Sequence, residues 1–319
     1  MLSKTLMDEI IWPAFQNPIL GEFHDGAKLQ VTGRIAFTTD SYVVKPLFFP
    51  GGNIGKLSIC GTVNDLAMTG AIPRYISAGV IIEEGFKGEE LKTIVESMRK
   101  TADAAGVTIV TGDTKVVGKG QADGIFINTA GIGEIIADFA PKNVRPGMKV
   151  IISGAIGDHA AVIMAGRHRL ELPPEIVSDC APLCDLMQKL AAAAPHTAVM
   201  RDPTRGGVAA VLNEIATAAE VGIVIDEEAL PIHPPVQGVC DILGLDPLYL
   251  ANEGKLVAFV PKDEAEQALN ALKAHELGRE AAIIGETIAE SAGRVALKTA
   301  IGGLRVVDMP MGNLVPRIC

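Results

Sequence analysis

The side chains of this sequence with the types and spacing for chemistry are a scattered set of aspartates, one lysine, one glutamate and a terminal thiol. Asp40 and Asp113 each stand just past an apolar run that reads as a strand, Ile35 to Thr39 and Val107 to Thr111. That is the end at which open α/β sheets hold ligands. Asp65 lies toward the end of a helical pattern, and Asp202 opens the turn Asp202-Pro203-Thr204-Arg205-Gly206-Gly207 ahead of another. Carboxylates among glycine turns suit a Mg²⁺–nucleotide site, because Mg²⁺ takes oxygen ligands and leaves most positions to phosphates and water. Each aspartate has a second reading as a turn or helix cap, and spacing leaves both open. Lys115 has the charge to meet a phosphate, or is a solvated lysine. Arg205-Gly206-Gly207 has the make-up of an anion nest, and equally of a plain sharp turn. Glu253, in Ala251-Asn252-Glu253-Gly254, is a candidate base.

The chain ends Asp308-Met309-Pro310-Met311-Gly312-Asn313-Leu314-Val315-Pro316-Arg317-Ile318-Cys319. Two prolines and a glycine disfavour a helix or a paired strand, so an extended, movable arm with a thiol at its tip is expected. An unperturbed thiol has a pKa of about 8.5; Arg317 would lower it and the terminal carboxylate would raise it. A frayed end is the plain alternative, but an exposed thiol invites oxidation, which points to one that is used.

Composition bounds the rest. The 319 residues fit two domains, and 48% apolar residues with 34 glycines indicate a packed α/β protein rich in turns. The net charge of -10, without a clustered basic patch, sets nucleic acid aside. Five cysteines without dense spacing read as reduced and cytoplasmic, with Cys60, Cys180, Cys184 and Cys240 as packing residues. The histidines show no zinc spacing. No run reaches the roughly 18 apolar residues of a membrane span. Neither G-x-x-x-x-G-K-[ST] nor a strand-following G-x-G-x-x-G occurs, so P-loop and Rossmann readings lack support.

The elements that must hold these residues follow from periodicity. Strands are predicted over 35–39, 74–82, 107–111 and 124–133, with helices over 54–68 and 88–105. Pro141, Pro146 and Gly147 mark a boundary. Beyond it strands are predicted over 149–153, 222–225, 255–260, 281–286 and 294–299. Helices are predicted from about His159 and over 180–194, 208–219, 235–243 and 263–277. The alternation argues α/β pairing with the topology open. Phe48 and Phe49 read as exposed in a turn-rich connection.

Several stretches are also familiar: Thr38-Thr39-Asp40-Ser41-Tyr42-Val43-Val44, Phe49 to Leu57, Gly61-Thr62-Val63-Asn64-Asp65-Leu66, Val110 to Val117, Asp202 to Gly207, Ala251 to Leu256, and the ending Pro316-Arg317-Ile318-Cys319. With them the whole chain resembles the HypE family of hydrogenase maturation proteins, within the superfamily of aminoimidazole ribonucleotide synthetase and selenophosphate synthetase. The aspartate motifs belong to the superfamily; the ending singles out the family. The resemblance implies an N-terminal helix and loop (1–32), an ATP-binding and dimerisation domain (33–140), a C-terminal α/β domain (141–302) and a mobile tail (303–319). It implies a homodimer in which the N-terminal sheets pair into a barrel. It further implies that a carbamoyltransferase, HypF, loads Cys319. The chain then dehydrates the thiocarboxamide to a thiocyanate with ATP, and cyanide passes to iron on HypC–HypD as a ligand of [NiFe]-hydrogenase. Carried over, Asp40, Asp65, Asp113 and Asp202 are the carboxylates for Mg²⁺-ATP, with Asn64, Thr114, Lys115 and Arg205 near the phosphates. Lys115, Glu253 and Cys319 work on the carried group.

Relatives place a histidine- and glycine-rich loop before the first helix, expected to close over the phosphates, whereas this sequence opens Met1-Leu2-Ser3-Lys4 directly at that helix; either the start is truncated or this version lacks the loop, and slow dehydration is the expectation. Asp158-His159-Ala160 carries alanine where glycine is usual. Two other readings compete: a superfamily sibling phosphorylating a free small substrate, which would not need Cys319, and a non-catalytic maturation scaffold. Loss of one water from the loaded tail separates them.

Overall fold

The computed structural model describes residues 6–22 and 26–310; the expected carrier, Cys319, and the rest of 311–319 lie outside them. In the first half, strands β1 (Ile35–Tyr42), β2 (Ala71–Glu83), β3 (Thr108–Val117) and β4 (Ile125–Ile135) form one sheet in the order β1-β4-β2-β3. The helices α1 (Ile54–Met68) and α2 (Gly88–Ala105) connect them. β2 and β3 are parallel, and the other two pairs are antiparallel.

α2 follows from its pattern. Leu91, Ile94, Val95, Met98, Ala102 and Ala105 recur at helical spacing and are buried, and Gly106 ends the helix at a φ of 68° that only glycine adopts freely. α1 is different, being buried around nearly its whole circumference. It is capped by Asn53, whose Oδ1 accepts from Gly55 N at 2.8 Å and Lys56 N at 3.1 Å. A helix apolar all round must be enclosed, and α1 lies between the first sheet and the second half.

The second half is a seven-stranded mixed sheet. Its strands are β5 (Lys149–Ile152), β6 (Val199–Arg201), β7 (Gly222–Asp226), β8 (Val257–Val260), β9 (Ala282–Ile288), β10 (Val295–Lys298) and β11 (Leu304–Val306), in the order β11-β10-β7-β9-β5-β8-β6. Helices α3 (Asp158–His168), α4 (Cys184–Ala193), α5 (Gly207–Ala219), α6 (Pro234–Leu243) and α7 (Ala265–Lys273) complete it. Alternation places the helices. Val257 and Phe259 of β8 pack with Val211, Leu212 and Ile215 of α5 on one face. Ala258 and Val260 pack with Leu186, Leu190, Ala268 and Leu272 of α4 and α7 on the other. That second core is continuous with Leu57, Ile59 and Val63 of α1.

The barrel expectation does not hold. No sheet of the described residues closes on itself; the four-stranded sheet is open, with β1 and β3 as its edges. β4 is paired on both sides, to β1 and to β2. β1 and β3 stand at opposite edges, three strand spacings apart, so the sheet remains an open layer. Strands also run longer than local patterns suggest. β3 continues through Asp113 and Lys115 because it stays in register with β2 to Val117, so the expected turn at Gly112 is strand. Asp40 likewise lies within β1. The 180–194 helix starts only at Cys184, and Leu304–Val306, expected as mobile tail, pairs with β10. Phe49 is buried, its ring edge-on to His159 with centroids 5.4 Å apart, while Phe48 is exposed. The cysteines at 60, 180, 184 and 240 are all free and buried. No described helix is long and apolar enough to cross a membrane.

Candidate active site

Three carboxylates meet where β1, α1 and the turn after β6 converge. Thr38 and Asp40 share the face of β1 that α1 covers, and Thr38 Oγ1 donates to Asp65 Oδ2 at 2.8 Å. Burial raises the Asp65 pKa and the charge of Asp40 adds to it, against the Thr38 hydrogen bond and Arg201. Asp202 is pushed up to about 7, by burial first and then by Asp65 and Asp40. It keeps partial solvent access, but dense packing and like charges outweigh that access. Arg201, hydrogen-bonded to Glu214 at 2.9 Å, is the cation whose field reaches both aspartates. Beneath them Tyr42 is buried, its hydroxyl 3.3 Å from Thr62 Oγ1. A Cβ on Gly61 would stand 2.3 Å from that hydroxyl, so glycine here makes room for the tyrosine.

Glu253 borders this group from below. It is 3% exposed, and its Oε1 is one of two buried side-chain polar atoms, among the described residues, without a hydrogen-bond partner. Burial pushes its pKa well up, helped by Cys180, Asp179, Asp202 and Asp40. A buried carboxyl left with an empty acceptor is costly, and such groups gather at functional sites. The other orphan is His159 Nε2. His159 Nδ1 lies 2.7 Å from Ser178 Oγ, and burial pushes its pKa down to about 4, so at neutral pH the ring is uncharged.

Asn64 holds the halves together. Its Nδ2 donates to Ala181 O at 3.1 Å and Glu253 O at 3.4 Å, and its Oδ1 accepts from Leu183 N at 2.8 Å. Its hydrogen bonds are thus spent on backbone. Asn252, which the motifs did not single out, does similar work. Its Oδ1 accepts from Gly157 N at 2.8 Å and its Nδ2 donates to Pro203 O at 3.0 Å, tying the Asp202 turn to the Glu253 loop. Gly206 and Gly207, with φ of 79° and 63°, form the left-handed turn into α5, and Arg205 is exposed beside it.

Asp113, Thr114 and Lys115 are not brought to this group. Register places Asp113 in the row Ser41-Asn128-Gly79-Asp113, three strand spacings or about 14 Å from β1. Asp113 Oδ1 accepts from Thr114 N at 2.9 Å, and Asp113 and Lys115 are exposed on the far edge. Among the described residues no three of His, Cys, Asp or Glu converge as a ready metal cage. The carboxylates do fit a Mg²⁺ that arrives with a nucleotide. They are hard oxygen donors close enough that Asp40 raises the pKa of Asp65 and both raise that of Asp202, a repulsion that a divalent cation relieves.

Both halves of the chain match known families. Residues 23–135 match the family described as AIR synthase related protein, N-terminal domain, and residues 145–298 its C-terminal domain. The carbamoyl dehydratase HypE of Rhodobacter capsulatus is 51% identical over 321 residues, covering 99% of this chain and 94% of the relative. A crystal structure of the hydrogenase maturation protein HypE in complex with ATP superposes with a TM-score of 0.96 at 46% identity, covering 100% of this chain and 97% of that one. A chain of a HypE–HypF complex does so with a TM-score of 0.84 at 50% identity, covering 96% and 99%. With its acidic site at the junction of the two AIR-synthase-type halves, and with relatives this near over its whole length, the chain belongs to the carbamoyl dehydratase HypE family of hydrogenase maturation proteins.

Proposed function

We propose that the carboxylate group at the junction holds Mg²⁺-ATP and that Glu253 is the base acting on a group carried by Cys319. The activity is the ATP-dependent dehydration of a cysteine-borne thiocarboxamide to a thiocyanate, which supplies the cyanide ligands of [NiFe]-hydrogenase. Written out, R–S–C(=O)–NH₂ and ATP give R–S–C≡N, ADP and inorganic phosphate. The amide oxygen is a poor leaving group, so it first takes the γ-phosphoryl group from ATP. The C–O bond then breaks toward phosphate while the nitrogen gives up its protons and the C≡N bond forms.

The observation that carries this reading is Glu253, buried with one carboxyl oxygen unsatisfied beside three aspartates. Asp40, Asp65 and Asp202 would hold the Mg²⁺, which when bound would offset charge on the transferring phosphoryl group. Neutralising Asp40 and Asp202 also removes two of the charges that, after burial, raise the Glu253 pKa, which moves its carboxyl back toward the usual carboxylate range and favours its action as a base. The chain acts as a homodimer. Asp113, Thr114 and Lys115 stand about 14 Å across the sheet from β1, so a second copy contributes them to the phosphates. An open apolar strip supports the dimer: Ile35 and Phe37 of β1, Val43 just past its end and Ile81 of β2 are exposed, and Phe37 alone is 67% accessible. HypF loads Cys319, and the cyanide passes to iron held by HypC–HypD. Carrying the group on the chain's own tail makes the step intramolecular, and effective concentrations for well-oriented groups reach roughly 10⁵–10⁸ M.

Glu253→Gln tests the base. The glutamine keeps the shape and cannot take the proton, so the carbamoyl adduct should accumulate while dehydration slows about 10²- to 10⁴-fold and ATP still binds. Dehydration at the parent rate would remove Glu253 from the chemistry.

A further inference from the structure

Asp179 has no part in the chemistry above, yet one carboxylate grips three successive residues of the base's loop. Its side chain is 1% exposed. Oδ1 accepts from Glu253 N at 3.2 Å, Oδ2 accepts from Gly254 N at 3.2 Å, and Lys255 Nζ lies 3.5 Å from Oδ2. The contact is reciprocated, since Ala181 N donates to Glu253 O at 3.3 Å. The approach is close enough to dictate sequence: a Cβ on Gly254 would stand 1.8 Å from Asp179 O, so glycine alone fits there.

Stability alone does not account for this choice of residue. A buried carboxylate is costly unless it is paired and hydrogen-bonded. This one has its partners, but it also faces the buried Glu253 carboxyl, whose pKa it raises together with Cys180 from its own segment and Asp202 and Asp40 from the neighbouring ones. A neutral residue capping the loop would avoid that repulsion. What the charge adds is a firm hold on two backbone N–H groups, at a residue whose buried side chain ends in an unsatisfied oxygen.

We propose that Asp179 is a positioning residue for the dehydration: it fixes the backbone of Glu253 and so aims the Glu253 carboxyl at the group carried on Cys319. The proposal rests on Glu253 being the base. A displacement of about 1 Å at a reacting group is worth about 10²-fold in rate, so the hold on the loop should read out in turnover.

The test is single-turnover dehydration of the carbamoylated full-length protein at varied ATP concentration, for Asp179→Asn and Asp179→Ala. Asparagine keeps the shape and one acceptor, and alanine keeps neither. Turnover should fall about tenfold in the first and about 10²-fold in the second, with half-saturation by ATP within about twofold of the parent, since no nucleotide-side carboxylate touches Asp179. A merely structural role predicts a lower unfolding midpoint with unchanged turnover per folded molecule, and that result overturns the proposal. If the alanine variant does not fold, the asparagine variant decides alone: parent-like turnover rejects the proposal, and slowed turnover at constant ATP saturation supports it. Glu253→Gln measured alongside separates the two ideas. An active Glu253→Gln sinks the base reading itself, whereas an inactive one beside a fully active Asp179→Ala sinks only the role of Asp179.

Discussion

Asp202 sits where a proton and a cation compete for one carboxylate. With its pKa pushed up to about 7 by burial, Asp65 and Asp40, it is largely protonated below neutral pH, and Mg²⁺ must displace that proton. Affinity for Mg²⁺-ATP should therefore rise as pH rises through 7, by up to about tenfold per unit below it, and level off above. Calorimetry in buffers of different ionisation enthalpy should detect the proton released near pH 6.5. Asp202→Asn should bind weakly and lose the pH dependence; a parent-like pH profile in that variant would place Asp202 outside the site. At this scale the sequence was partly legible. Asp40, Asp65, Asp202 and Glu253 stand in recognisable motifs, and the structure does gather them. Asp179, Asn252 and Arg201 were invisible because their work is to grip backbone or to project a field across residues distant in sequence, which no local spacing records. Asn64 was seen as a phosphate neighbour, although its side chain is committed to Ala181, Leu183 and Glu253.

Helix α1 is the element on which the site turns. Its buried surface joins the first sheet to the core of the second half, and Asn64 and Asp65, adjacent in sequence, point their functions apart. Asn64 fastens the 181–183 segment, and Asp65 faces Thr38 and the other carboxylates. Asn64→Ala would leave Leu183 N and Ala181 O buried without these partners, at about 1–3 kcal/mol, read as a lower denaturation midpoint. Unchanged stability would mean that the junction does not depend on that clamp. The helices over 54–68 and 88–105 were legible because caps and apolar spacing are local. Local spacing predicts β2 and β3 too short, because strand length is decided by partners elsewhere in the chain, and the barrel that the resemblance implies is not formed by the open four-stranded sheet. Register with β2 carries β3 through a glycine that reads as a turn.

At the scale of the molecule, the separation between β1 and Asp113 makes a prediction of its own. If each site takes Asp65 from one copy and Lys115 from the other, Asp65→Asn and Lys115→Ala chains should each be inactive alone. Equal mixing and exchange should restore about a quarter of the parent activity, because half of the dimers then carry one intact site. No recovery, with exchange verified, would assign both residues to one copy.

The most direct measurement of the whole account is the mass of the C-terminal peptide. After incubation with the carbamoyltransferase, carbamoyl phosphate and ATP, the peptide ending in Cys319 should carry a carbamoyl group, and further ATP should convert it to a species lighter by one water. Cys319→Ala should show neither change, and Cys60, Cys180, Cys184 and Cys240, all buried, should stay unmodified. An adduct on another cysteine, or a carbamoylated Cys319 peptide that never loses water in the presence of ATP, would contradict it.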